Sequence, residues 1–147
     1  MPKRPVVPLI LAVLALDQLS KQLLKDTHSA LIPGLLRITG TRNTGAAFGI
    51  FGNSTLPLII LTTLAALLMG FYLWKAKPPG LFGPGLTLIL SGALGNLIDR
   101  AARGYVIDFI ELEFVRFAIF NVADIAITLG CVLAFIGIMR NKGVRHG

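Results

Sequence analysis

Four apolar segments dominate this chain, at about residues 5–24, 56–74, 81–98 and 117–139. Each is near 20 residues, or about 30 Å as a helix, the thickness of a bilayer's hydrocarbon core. A chain built around four such blocks is expected to be a small polytopic membrane protein. Composition agrees, with 54% hydrophobic and 14% charged residues, where a soluble domain usually carries about a quarter charged residues. A soluble globule is excluded. The 147 residues suit one domain, so the expectation is a single all-α membrane domain over residues 1–147, with four transmembrane helices.

The first connection, residues 25–55, is too long to be structureless in a compact domain. Within it, Leu36-Arg37-Ile38-Thr39-Gly40-Thr41 alternates apolar and polar residues as a strand does, while Pro33-Gly34 and the run Asn43 to Gly45 supply turns. A small extracytoplasmic β platform is predicted. Its apolar residues Leu31, Ile32, Leu35, Phe48, Ile50 and Phe51 suggest that it rests on the membrane surface. The second connection, Lys75 to Gly80, is a tight turn with two cations, and the third, Asp99 to Arg116, is polar and charge-mixed.

An even number of spans puts both termini on one side, so the charges can be sorted. One side holds Lys3, Arg4, Lys75, Lys77, Arg140, Lys142 and Arg145 with no acid, and the other side is nearly balanced. The whole net charge of +7 therefore sits on one face, which the positive-inside rule makes cytoplasmic. That placement reads as membrane topology and gives no basic patch for nucleic acid. An alternative treats the first segment as a cleaved signal peptide, with Lys3 and Arg4 before it and a weak Val13-x-Ala15 site. Its loss would leave three spans and spoil the sorting.

Carboxylates inside a span cost roughly 2.5–3.5 kcal/mol on insertion scales, so they mark functional sites by default. In the fourth segment Asn121, Asp124, Thr128 and Cys131 fall on one helical stripe, which is expected to face protein. In the third, Gly92, Asn96, Asp99 and Arg103 form a similar stripe, with Arg100 one turn beyond Asn96. In the first, Asp17 and Lys21 are spaced to pair within the helix. All lie toward the non-cytoplasmic ends of their spans and should converge near the headgroup boundary, beneath the platform. The plain alternative is structural: Asp17 with Lys21 as a neutralised pair, and Asn96, Asp99 and Arg100 as a helix-end network.

Asp124 has no cation within four residues, and Asp108, in Val106-Ile107-Asp108-Phe109, is the nearest unpaired acid in the third connection. Two carboxyls in a low-dielectric site share a proton and titrate as a pair. Such a pair can hydrolyse a peptide, one member taking a proton from water and the other polarising the carbonyl and protonating the leaving amine. Cys131 lies in an apolar stretch with no histidine nearby, and Ser20 and Ser91 have no evident base. One cysteine and two histidines, His28 and His146, are too few for a disulfide framework or a Cys/His metal site.

Five motifs, in order, resemble the lipoprotein signal peptidase (signal peptidase II) family. They are Asp17-Gln18-x-x-Lys21, Asn43-x-Gly45-x-Ala47-Phe48, Gly92-Ala93-Leu94-Gly95-Asn96-Leu97-Ile98-Asp99-Arg100, Val106-x-Asp108-Phe109 and Phe120-Asn121-x-Ala123-Asp124-x-x-Ile127. The resemblance implies an aspartyl endopeptidase of the bacterial cytoplasmic membrane with both termini inside and its active site at the outer face. It implies a diacylglyceryl prolipoprotein as substrate, cleaved before the lipidated cysteine, with membrane lipid around it and no metal or organic cofactor. Globomycin-type cyclic peptides are the inhibitors it implies. Carried over, Asp108 and Asp124 are catalytic; Asn43, Asn96, Arg100 and Asn121 fall on site-lining positions; Asp17, Lys21, Gly45, Asp99 and Ala123 fall on supporting ones. Ser91 stands where many members have glycine, which affects local packing only.

Two other classes fit part of the pattern. An ion or proton carrier would also line a polar stripe with Asp and Asn, but its polar residues should continue to the cytoplasmic helix ends, which here are apolar. A membrane scaffold explains the bundle but not an acid pair at the boundary.

Overall fold

The protein is described by a computed structural model over residues 6–45 and 55–143. Phe48, Ile50 and Phe51 of the expected platform, and Lys3, Arg4 and Arg145 of the basic face, lie outside the described residues. Four helices form, α1 (Val6–Leu24), α2 (Leu56–Ala76), α3 (Phe82–Arg103) and α4 (Val122–Gly143), with three strands, β1 (His28–Ile32), β2 (Leu36–Asn43) and β3 (Val106–Leu112). In hydrocarbon a helix satisfies its own backbone groups, which is why the apolar blocks become helices.

Helix α3 is the hub, packing against α1, α2 and α4. That position explains its composition. The other three are long and apolar enough to cross a membrane by themselves, with mean hydropathies of 1.5, 2.2 and 2.3 over Val6–Leu24, Leu56–Ala76 and Val122–Arg140. Shielded by its neighbours, α3 instead buries Gly83, Gly85, Thr87, Ser91, Gly92, Gly95, Asn96 and Asp99 along with Leu90. The Thr87 and Ser91 hydroxyls donate to the carbonyls of Gly83 and Thr87 at 2.9 and 2.6 Å, so they are satisfied within the helix. Helix α3 also runs on to Arg103, past the expected end at Ile98.

The α3–α4 seam is built of small residues, as close helix packing without a hydrophobic driving force requires. A methyl group on Gly85 would stand 2.5 Å from the Ala134 nitrogen, and one on Gly137 would stand 2.5 Å from the Phe82 nitrogen. This corrects the expected inward stripe of α4. Ala123, Ala126, Gly130, Ala134 and Gly137 are the buried positions, whereas Thr128 and Cys131 are exposed. Small side chains let the backbones meet, so the inner face follows glycine and alanine spacing and not polarity. Thr128 keeps its hydroxyl satisfied by donating to the Asp124 carbonyl at 2.9 Å.

The platform is an antiparallel sheet in the order β1-β2-β3. A turn at Pro33-Gly34, with Gly34 at φ +76°, joins β1 to β2. Asn43 pairs with Val106 and Thr41 with Asp108 across the β2–β3 ladder. Its third strand is a correction, because Val106–Leu112 falls in what the sequence suggests is a polar connection. A register shift between Ile38 and Thr41 surrounds Gly40, whose bare Cα lies against the Lys25 carbonyl and leaves no room for a side chain. The sheet is thereby seated on the end of α1. Residues 117–120 are not helical as expected: Phe120 bonds back to Ile110 in both directions, at 2.8 and 3.1 Å, and α4 starts only at Val122.

Candidate active site

The start of α4 carries the centre of the site. Asn121 is the N-cap residue: its Oδ1 accepts the Asp124 N–H at 3.0 Å, and the Asp124 Oδ2 accepts the Asn121 N–H at 3.2 Å. This reciprocal pair is a capping box, and it fixes the Asp124 carboxyl in the first helical turn. A second orphan donor of that turn, the Ala123 N–H, is taken at 2.9 Å by Asp17 Oδ1 reaching over from α1. Ala123 is fully buried, against the bare Cα of Gly92. Helix ends need such partners, and two of the motif residues supply them.

Asp108 comes to this point from β3. Its Oδ1 accepts the Asn121 Nδ2 at 2.7 Å and its Oδ2 accepts the Asn43 Nδ2 at 2.9 Å. Asn43 ends β2, and its own Oδ1 accepts the Gly45 N–H at 3.0 Å, which holds the amide group toward Asp108. Asn96 on α3 donates its Nδ2 to Asp124 Oδ1 at 2.9 Å. Among the described residues each oxygen of both carboxyls thus receives one donor. Asn121 touches both acids, so the two are tied through a single side chain and its backbone.

Beneath lies a buried charge cluster. The Lys21 Nζ, fully buried, is 2.8 Å from Asp17 Oδ2 and 2.9 Å from Asp99 Oδ2, and donates to Asn96 Oδ1 at 3.0 Å. Arg103 pairs with the other Asp99 oxygen, and the Ile107 N–H points at Asp99 Oδ2 at 3.4 Å. Asp99 is therefore compensated by two cations and does not meet Asp108 or Asp124 through any described hydrogen bond. Arg100 donates an Nη to the Gly45 carbonyl at 3.2 Å, while its buried Nε has no hydrogen-bond partner among the described residues.

Asp108 stands outside the helices and is 3% exposed. Burial pushes its carboxyl up to about 6, with the Asp124 charge adding to the rise and the Asn43 and Asn121 hydrogen bonds opposing it. A carboxyl so placed can carry a proton near neutral pH and give it up, which is what general acid catalysis needs. Ser20 and Ser91 donate their hydroxyls to backbone carbonyls at 2.9 and 2.6 Å and face no base in doing so. The broad hollow lined by Arg37, Glu111 and residues 112–117 lies at the other end of β3 and holds neither carboxyl.

The site residues carried over from the resemblance meet in this cluster: Asp17 and Lys21 from α1, Asn43 and Gly45 from the end of β2, Asn96, Asp99 and Arg100 from α3, Asp108 from β3, and Asn121, Ala123 and Asp124 at the start of α4; Thr128 and Cys131 of the expected α4 stripe stay outside it. Gln18 joins the cluster without any sequence expectation for its side chain: its Nε2 donates to Asp17, to Asp99 and to the Gly95 carbonyl at 3.1, 3.1 and 3.3 Å. A lone amide beside Asp17 in an apolar span was the available signal.

A helical bundle of the membrane that holds two carboxyls together at its end is the architecture of an intramembrane aspartic hydrolase. The sequence model of the family described as signal peptidase (SPase) II matches residues 9–140. The chain is 33% identical over 138 residues to the lipoprotein signal peptidase of Lactiplantibacillus plantarum, covering 90% of this chain and 93% of that one. It is 36% identical over 149 residues to that of Streptococcus pneumoniae, covering 97% of each. A bacterial membrane enzyme solved by the in meso method superposes with a TM-score of 0.86 at 30% identity, over 93% of this chain and 88% of that one. The chain belongs to the signal peptidase II family, a multi-pass membrane aspartic peptidase that removes the signal peptides of lipoproteins.

Proposed function

We propose that Asp108 and Asp124 are the catalytic pair and that the substrate is a diacylglyceryl-modified prolipoprotein, cut just before its lipidated cysteine. The observation that carries this is the double grip of Asn121, whose Nδ2 bonds to Asp108 and whose N–H bonds to Asp124. One carboxylate removes a proton from water as the water oxygen adds to the scissile carbonyl. The other, protonated, polarises the carbonyl through a hydrogen bond to its oxygen, and this one proton then passes to the nitrogen as the amine leaves, while the proton taken from water stays on the first carboxyl. Asn43, Asn96 and Asn121 hold the carboxyls. Arg100, whose buried Nε has no hydrogen-bond partner among the described residues, would donate to a substrate carbonyl.

The setting supports a lipid-anchored substrate. Leu31, Ile32 and Leu35 of the platform are exposed, as they would be in a sheet laid on the headgroups. A lipidated cysteine diffusing in the bilayer plane reaches a site there without lifting its acyl chains from hydrocarbon. Cleavage is therefore expected to depend on the diacylglyceryl group, to resist metal chelators and serine-protease reagents, and to be blocked by globomycin. Assays of one prolipoprotein with and without its diacylglyceryl group test this, and equal turnover of the two would remove the proposed lipid selection.

We also propose that both termini face the cytoplasm of a bacterial inner membrane, with the platform and the dyad at the outer face. Lys75 in the last turn of α2 and Lys77 just after it lie at the bundle end opposite the sheet. In a background lacking Cys131, His28→Cys is expected to react with an impermeant thiol reagent in intact spheroplasts and Lys75→Cys is not. The opposite labelling would invert the topology.

A further inference from the structure

We propose that Lys21 is a positioning residue for the reaction: its ammonium fixes the amide of Asn96, and through it assigns the base role to Asp124 and the acid role to Asp108. This rests on the reading of Asp108 and Asp124 as the catalytic pair. An ammonium has donors only. The Asn96 atom 3.0 Å from Lys21 Nζ must therefore be the oxygen, and Asn121 Nδ2 at 3.2 Å makes the same demand on it. The opposite end of that amide, Nδ2, is then committed to Asp124 Oδ1 at 2.9 Å. A flipped amide would set its NH2 group against a buried cation.

The relay runs one way, from Lys21 through Asn96 to Asp124. Asp124 also receives the Asn121 N–H in the first turn of α4, where a helix N-terminus favours a carboxylate. Asp108 stands on β3 with two neutral side-chain amides and no helix end. The pair is thus asymmetric: the positive end of the relay and of α4 both serve Asp124, which leaves the shared proton on Asp108.

The other charged groups facing the pair do not reverse this. From α3, Arg100 acts on Asp108 more than on Asp124 and so works against the asymmetry, as does the smaller direct pull of Lys21 on Asp108. Asp124 has in addition the Asn96 bond and the helix end, and Asp99 is held by Lys21 and Arg103. From α1, Asp17 opposes a charge on Asp124 but is paired to Lys21 and capped on the Ala123 N–H. The single charged residue of α2, Lys75, lies in its last turn.

The test combines Lys21→Met with Asp17→Asn, which removes both charges of one ion pair and leaves an oxygen for the Ala123 N–H. The pH dependence of kcat/KM for a lipidated substrate is then read. The acid limb, set by the base, is expected to move up by about one pH unit, with kcat down about tenfold on that limb and KM unchanged. Asp17→Asn alone should not move the limb upward. A lower kcat with the limb in place would show a merely structural role and overturn the proposal. A second arm does not require Lys21 to be replaced. Infrared difference spectra at pH 5 should show a protonated-carboxyl band that is lost in Asp108→Asn and kept in Asp124→Asn, and the reverse would overturn the assignment. Retained cleavage in both of those variants would instead remove the catalytic pair itself.

Discussion

Asp108→Asn and Asp124→Asn are each expected to abolish cleavage of a diacylglyceryl prolipoprotein in a protein that still folds. An amide keeps the shape of the acid but has no proton to exchange, and each step of the proposed hydrolysis moves one. The stability side follows from the Asp108 environment. Its carboxyl rises from 3.8 to about 6 on folding, chiefly through burial, so between those values the folded state binds more protons than the unfolded one. The stabilisation linked to this group is full below 3.8 and is lost as pH rises through about 6. The difference amounts to about 3 kcal/mol. Asp108→Asn carries no such charge and should show a flatter dependence of thermal stability between pH 4 and pH 7. Its loss is one hydrogen bond, because the new NH2 must face either the Asn43 or the Asn121 donor. Asp99→Asn is expected to behave differently. Asp99 is fully buried between Lys21 and Arg103, and breaking a buried ion pair costs about 3–5 kcal/mol. Yield and thermal midpoint should fall while measurable turnover remains. Activity in Asp108→Asn with a well-folded, inactive Asp99→Asn would name Asp99 as the partner of Asp124.

The helices were legible because a bilayer demands apolar blocks of one length, and the site because charged and amide side chains are conspicuous inside such blocks. Asp17 and Lys21 pair at their helical spacing as expected. What escaped is set by partners distant in sequence. Val106–Leu112 became a strand because β2 offers it an edge, and nothing within residues 99–116 records that edge. The fourth helix begins at Val122 and not near Phe117 because Asn121 caps it and Phe120 is drawn onto Ile110. The inward face of α4 follows side-chain size and not polarity: Gly130, Ala134 and Gly137 pack on α3 while Thr128 and Cys131 face outward. The clusters of Gly92 and Gly95 did signal close helix contact, but not that the Asp17 carboxylate fills the space beside Gly95, 2.6 Å from where a methyl would stand.

Gly92→Ala is expected to be among the most damaging single-methyl changes in the protein, although it touches no catalytic group. A Cβ at this position would overlap the Ala123 carbonyl, and it would stand 2.8 Å from the Ile127 Cγ1. Ile127 can rotate; the carbonyl is backbone in the first turn of α4 and cannot yield without moving that turn. The turn carries Asp124, and its Ala123 N–H is fixed by the Asp17 carboxylate that also holds Lys21. Relief of the clash must therefore shift α4 away from α3, lengthening the Asn96 bond to Asp124 and the Asn121 bond to Asp108 together. Overpacking of this kind costs about 1–3 kcal/mol, and a displacement of about 1 Å at a reacting group costs about 100-fold in rate. Gly70→Ala supplies the contrast, since nothing lies within 4 Å of its added methyl in the middle of α2. There the change should leave cleavage intact and raise stability by about 0.4–1 kcal/mol through a less flexible unfolded chain. Thermal melting and turnover of the two variants in the same lipid or detergent check the pair of outcomes. Equal activity in both would mean that the seam at Gly92 does not position Asp124.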